Sequence, residues 1–457
     1  MYINQIELKN YRSFHQQTVD FSKITLLLGP NSGGKTSLIA ALLSALQSER
    51  FPQYFSPNGN LIETGDYREL IASHSVGRQL SVALCFRDGE GGDGDEYRYS
   101  GTYVRDVDTN MPILHSASVI APEIRWEASR FRTKYKVSWA YLPEHDGRAD
   151  IVKKGIPQFA GALQALVSSL EKVQVSALDE KRGKGKEIIS TKQIDDSAGE
   201  YESDLNSLNS VNSFKGSIWA SIALTGSNLR LMDFKKKFVY IGSHRIPPQR
   251  TYYHVVGSDM KVGVCGQNAV EQMLAWKNAK SKKLVGLAQT MKKLGLASSV
   301  TTNKLAGGRF EVRVTVPGSR VSSSLSDVGF GVNQLLPLMV AEYQLPESST
   351  IAVSQPETHL HPKVQAELAS HFADQVKNRK FRYIVETHSE YIINRMRRLI
   401  RKGDLNPEDV AVYYVEPSAL GASVHNIIFE KSGKIAGAPK GFFDTYQVDV
   451  LNIALQR

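Results

Sequence analysis

Gly29-Pro30-Asn31-Ser32-Gly33-Gly34-Lys35-Thr36 decides the fold of this chain. It satisfies G-x-x-x-x-G-K-[ST] at every fixed position, and its flanks supply the context that pattern requires. Before it, Ile24-Thr25-Leu26-Leu27-Leu28 reads as a buried strand; after it, Ser37-Leu38-Ile39-Ala40-Ala41-Leu42-Leu43 reads as a helix. The glycines let backbone N–H groups close around anionic oxygens, and the helix N-terminus adds a favourable dipole. In such a loop Lys35 reaches the β- and γ-phosphates of ATP and Thr36 ligates Mg²⁺. An α/β architecture follows.

Outward from this loop, residues 1 to about 105 read as strands, the loop with its helix, and more strands. Tyr2–Leu8 and Gln16–Phe21 flank a turn at Asn10-Tyr11-Arg12-Ser13, and Gln79–Phe86 pairs with Glu96–Val104 across a Gly- and acid-rich turn. From about 110 to 230 the character changes. Ala160–Val173 is apolar at helical spacing, residues 179–204 are polar and rich in both charges, and Gly183-Lys184-Gly185-Lys186 reads as an exposed tip. This stretch is expected to be an inserted, partly helical subdomain or short antiparallel arm. The division is thus an N-terminal lobe over 1–109, the insertion over 110–230 and a C-terminal lobe over 231–457. In the last of these, Phe238–Ile241 is a buried strand and adjacent prolines at 247 and 248 keep the following loop from being helical. Asn268–Leu296 reads as helix and Arg309–Val316 as strand.

Two further strands end in polar residues suited to face a nucleotide. Ser349–Val353 runs into Ser354-Gln355-Pro356-Glu357-Thr358-His359-Leu360-His361-Pro362, and Phe381–Glu386 ends at Thr387-His388-Ser389. Single histidines more often make structural hydrogen bonds, but His388 at such a strand end could reach a γ-phosphate. Upstream, Leu325-Ser326-Asp327-Val328-Gly329-Phe330-Gly331-Val332-Asn333-Gln334 is a Ser/Gly-rich turn opening a helix, a second anion site. One helix N-terminus already holds the phosphates, so the second makes most sense as part of a facing protomer.

The chain has 457 residues, enough for roughly two or three domains. No apolar run approaches the ~20 residues of a membrane helix, and Met1–Glu7 reads as a charged strand, not a secretion signal. Cys85 and Cys265 stand far apart, which indicates neither a disulfide framework nor a Cys-based zinc site and fits a cytoplasmic setting. A formal net charge of +10 permits DNA contact without showing it.

These residues together resemble the ABC-type ATPases of the RecF, SMC and OLD group. Asn10-Tyr11-Arg12-Ser13-Phe14 is similar to the start of that group, Gly329–Gln334 to its signature turn, Gln355–Pro362 to the E-x-P-E-x-H-L-H-P block of OLD-like members, and Thr387-His388-Ser389 to the switch histidine. Arg245–Arg250 and Gly441-Phe442-Phe443-Asp444 are similar to a bacterial subgroup that includes the ATPases of the Septu and PARIS anti-phage systems. The resemblance implies an ABC-type head and a head-to-head homodimer sandwiching two ATP, with higher oligomers left open. Lys35 and Thr36, with Arg12, Asn31, Gly33, Gly34 and Ser37, would come from one subunit and Ser326, Gly329 and Gly331 from the other.

One departure bears on the chemistry. Where the family strand ends in two acids, one for Mg²⁺ and one for the attacking water, this chain has Ser354 and Gln355. Gln cannot accept a proton as a base, so Glu357 is expected to serve, and hydrolysis to be slow. After His388 no clustered carboxylates suggest a two-metal nuclease. The main functional expectation is a sensor and scaffold of an anti-phage complex, controlling a separate effector protein on a phage-protein trigger. The alternative is a RecF/SMC-like DNA-binding ATPase of repair or recombination.

Overall fold

Continuous apolar runs make strands buried on both faces, as in a parallel sheet covered by helices; alternating runs make antiparallel strands buried on one face. Both patterns occur here. The computed structural model describes residues 1–89, 94–122, 124–131, 134–141, 198–203, 218–254, 261–419, 421–439 and 442. The chain divides into two compact units, one of Met1–Ser118 with Ser227–Arg457, the other of Val119–Gly226.

β1 (Tyr2–Tyr11) and β2 (Phe14–Asp20) form a hairpin. β3 (Ile24–Leu28), buried throughout, leads to α1 (Lys35–Gln47), and a single turn, α2, spans Tyr67–Leu70. β4 (Leu80–Arg87) lies antiparallel between β1 and β5 (Glu96–Arg105), and β6 (Pro112–Ala121) follows in the chain. In the other unit, β7 (Ile124–Phe131), β8 (Lys134–Tyr141) and β9 (Ala198–Ser203) pair antiparallel in sequence order. α3 (Ile218–Lys236) precedes β10 (Phe238–Ile241).

The remaining elements complete the first unit. β11 (Tyr252–Tyr253), β12 (Ser299–Lys304), β13 (Arg309–Thr315) and β14 (Ser322–Ser324) make a small antiparallel sheet. α4 (Ala269–Asn278) and α5 (Lys282–Lys293) pack on β12 and on α6 (Phe330–Gln344). Then come β15 (Thr350–Ser354), α7 (Pro362–Arg379), β16 (Arg382–Glu386), α8 (Glu390–Lys402), β17 (Val410–Ser418), β18 (Gly421–Phe429) and β19 (Ile435–Ala436).

The strand order β10-β15-β16-β3-β17-β18-β19 places the site. The first five run parallel, so the ends of β15, β16 and β3 emerge along one edge, where open α/β sheets bind ligands. Register sets Ser354 beside Glu386 and Glu386 beside Leu27, one residue short of the strand end that feeds Gly29. Leu26, Leu28, Val353 and Val385 join Leu335 and Met339 of α6 in one apolar core. A buried polar knot ties three elements: Glu342 of α6 accepts from Tyr383 of β16 at 2.7 Å and meets His371 Nε2 of α7 at 2.7 Å. Among the described residues no helix is long and apolar enough to cross a membrane.

One sequence expectation is filled out and one corrected. The 110–230 stretch, expected to be partly helical, contributes most of α3 and also β6 to β9; Ile124, Trp126 and Ala128 are buried on alternate positions while charged neighbours are not. The helix expected over 160–173 and the tip at 183–186 lie outside the described residues. The helix expected over Asn268–Leu296 is two helices, broken where Lys280 turns to φ 50° and Ser281 caps α5.

Candidate nucleotide-binding site

Backbone crowding shapes the phosphate loop. Gly29 has φ 134°, and a Cβ there would stand 1.9 Å from the Val415 carbonyl oxygen of β17; a Cβ on Gly33 would stand 2.6 Å from the same atom. Gly34, at φ 107°, precedes α1 directly and is bordered by Ser13 and Phe14. Only glycine serves at Gly29, where both conformation and space exclude a side chain. The turn carrying Arg12 therefore abuts the loop; Arg12 itself donates to the Thr64 carbonyl at 3.1 Å. Asn31 is exposed on the outer bend, and Ser37 lies in the first turn of α1.

Lys35 is buried, and its ammonium donates to the carbonyls of Gly29 at 2.9 Å and Pro30 at 2.7 Å. Burial lowers its pKa, opposed by the negative charges of Glu386 and Glu357. Thr36 Oγ1 donates to Glu386 Oε1 at 2.9 Å, while Ser354 Oγ donates to Glu386 Oε2 at 2.8 Å. Tyr240 OH lies 3.2 Å from Ser354 Oγ. Glu386 therefore bridges the residue after the loop lysine and the end of β15.

Glu357 is held by the backbone N–H of His388, which donates to Oε1 at 2.7 Å; Oε2 is buried without a hydrogen-bond partner. Burial raises this carboxyl's pKa, with the His388 N–H opposing. The His388 side chain is exposed; desolvation first and the Lys35 charge second hold its imidazole below the usual range. Gln355 sits at φ 48°, its N–H bonded to the Glu386 carbonyl at 2.7 Å and its carbonyl accepting from Gln334 and Thr358.

Not every expected residue gathers here. His361 Nδ1 accepts from Lys363 N–H and caps α7, and the His359 ring lies 5.6 Å from that of Phe330. Ser326 Oγ bonds to Ser324 and Asp327, and Gly329 is the N-cap of α6. A Cβ on Gly331 would stand 3.1 Å from the His359 carbonyl oxygen. This second turn thus rests on the loop after β15 and, through Arg250 and Asp327, on the loop after β10.

Two residues stand at the site in ways the sequence did not show. Glu386 was legible only as the last residue of a strand; its signal was being the sole carboxylate ending either polar-tipped strand. Arg245 was legible only as the start of the Arg245–Arg250 stretch that carries the subgroup resemblance, not as a neighbour of Ser354. The donor set fits a magnesium–phosphate group: one hydroxyl and one carboxylate 2.9 Å apart, a buried lysine, and an orphaned carboxylate oxygen nearby. Neither Ser354 at the end of β15 nor Gln355 after it is acidic, and Glu386 of the neighbouring strand lies within hydrogen-bond reach of Ser354.

Two family models match the sequence: an AAA domain over residues 5–215 and an AAA ATPase domain over residues 260–393. No curated protein matches. Among solved structures, the SMC head domain from Thermotoga maritima is similar at 12% identity and TM-score 0.39, over 93% of this chain and 98% of that one. An Smc head from Pyrococcus furiosus with an extended coiled coil, bound to the C-terminal domain of ScpA, is similar at 12% identity and TM-score 0.40, over 94% and 97%. A SmcHead bound to the C-winged helix domain of ScpA gives 14% and 0.41, over 94% and 99%. With the phosphate loop and both AAA models in place, the chain is an α/β P-loop ATPase, an enzyme that hydrolyses ATP.

Proposed function

We propose that this ATPase is a nucleotide-gated clamp in which two copies close head to head around two ATP molecules. One copy would grip each nucleotide with Lys35 and Thr36, assisted by Arg12, Asn31, Gly33, Gly34 and Ser37. The other would offer Ser326, Gly329 and Gly331. The observation that carries this is the placement of the turn opening α6. It is exposed, Phe330 to 65%, and its hydrogen bonds go to the loop after β10 and within the turn, not to the phosphate loop of its own chain. A helix start of that kind is available to a second copy's phosphates.

Thr36 and Glu386 would hold Mg²⁺, which when bound neutralises phosphate charge. Glu357 Oε2 would accept the proton of the attacking water, Gln355 would position that water through its amide, and His388 would hold the γ-phosphate. Turnover is expected to be slow, because burial biases Glu357 toward its neutral form.

Duplex DNA is the load best supported by the net charge of +10. A second reading, a scaffold that holds an effector protein in anti-phage defence until a phage protein triggers release, draws support from exposed Ile246, Tyr253 and Phe330. ATP-stimulated DNA binding separates it from co-purification with a second polypeptide.

Composite sites are tested by mixing Lys35→Ala with Ser326→Arg protein. Each alone should be nearly inactive, whereas the mixture regains turnover because one site of the mixed dimer is whole. Absence of recovery in a mixture that still dimerises overturns the clamp.

A further inference from the structure

Arg245 is the one guanidinium among the described residues with two buried nitrogens, Nε and Nη1, that lack any partner. Among the described residues its one hydrogen bond is long, Nη2 to the Ser354 carbonyl at 3.5 Å, at the limit of a useful hydrogen bond. Among the described residues no carboxylate forms an ion pair with it; burial lowers its pKa to about 10, opposed by Tyr240, Cys265 and Glu357. Buried, unmet donors on a partly buried cation are costly to keep. Such a group persists where an anion completes it, and an arginine fork suits phosphate oxygens. On the other side of Ser354 stand Glu386 and Thr36, linked in series by hydrogen bonds of 2.8 and 2.9 Å. Arg245 therefore meets this Ser354–Glu386–Thr36 row at its Ser354 end, from the loop after β10.

The same loop reaches the second turn. Ile246 accepts at its carbonyl from Asn333 of α6 at 3.2 Å. Arg250 makes a two-pronged pair with Asp327, at 2.8 and 3.0 Å. That pair is 74% and 40% exposed, so it is a fastener that can be exchanged rather than a rigid brace.

We propose that Arg245 is a phosphate-contacting residue that reads the terminal phosphate of ATP from within its own chain, and that the loop Ser243–Arg250 carries this state to the Ser326–Gly331 turn through Arg250 and Asp327. The inference rests on the clamp reading above and adds its sensor. An ammonium at Lys35 serves both β- and γ-phosphates; Arg245, placed by Ser354 and Glu357, meets only the terminal one. Discrimination between ATP and ADP then belongs to Arg245.

The test measures affinity of wild type and Arg245→Gln for the non-hydrolysed analogue AMP-PNP and for ADP, each with magnesium. Loss of a charge-assisted hydrogen bond should weaken AMP-PNP by roughly tenfold or more and leave ADP within about twofold. Equal weakening of both, or of neither, overturns the inference while leaving the clamp intact; a wild type that binds no adenine nucleotide overturns the clamp itself. Should Arg245→Gln not fold, hydrogen exchange on wild type decides. Amides of 243–250 should be more protected with AMP-PNP than with ADP, and equal protection sinks the proposal. The exchanged pair Arg250→Asp with Asp327→Arg should restore AMP-PNP-dependent dimerisation that either change alone reduces; no restoration removes the second half of the claim.

Discussion

In the proposed clamp Glu386 and Glu357, alike in charge, would divide the work. Glu386 has both oxygens bonded to hydroxyls, of Thr36 and Ser354, and would serve as a ligand. Glu357 has one oxygen fixed by a backbone N–H and one left over, and would serve as the base. Glu357→Gln should therefore retain ATP and trap the closed dimer, while turnover falls by about 10²-fold or more. Glu386→Gln should instead weaken magnesium-dependent nucleotide affinity, read by titration with and without the cation. Equal effects of the two changes on binding would erase the division. The pH dependence has a definite sign. Because burial raises the Glu357 pKa, its charged, proton-accepting form populates only above the usual carboxylate range. Turnover should climb with pH through that raised pKa, and the climb should vanish in Glu357→Gln.

Between elements, the knot of Glu342, His371 and Tyr383 joins the helix opened by the second turn to the strand that ends in Glu386. Glu342→Ala would leave a buried imidazole nitrogen and a buried phenol unmatched, each costing about 1–3 kcal/mol. A lowered midpoint in urea unfolding, with nucleotide affinity impaired beyond what stability explains, is the expected result. The strands β3, β15 and β16 were readable because parallel strands write themselves as unbroken apolar runs such as Ile24–Leu28. The role of Glu386 was not, because it depends on β16 lying between β15 and β3, and lateral strand order leaves no local trace in sequence. β7 escaped for a different reason: Arg125 and Glu127 alternate with its apolar Ile124, Trp126 and Ala128, and with Arg130 they make the stretch look like a polar linker. The two turns were found as separate anion sites, but the ion pair of Arg250 with Asp327, 77 residues apart, could only come from the fold.

For the molecule as a whole, charge and closure should act together. If the clamp holds duplex DNA, affinity should fall steeply as salt rises, and Lys35→Ala should remove the ATP-stimulated part of binding while leaving the nonspecific part. A flat salt response with stable capture of a second polypeptide would shift the assignment to the scaffold reading. Chain order adds a consequence for biosynthesis. Thr36 and Glu386 are separated by 350 residues, and β3 finds its two neighbours, β16 and β17, only in late-made chain. At ribosomal speeds of ~5–20 residues per second, the loop-bearing strand waits on the order of 20–70 seconds with both edges unpaired. Nascent protein should therefore lean on chaperones until residues 382–418 have been made, and termination before them should yield insoluble fragments rather than half-working ones.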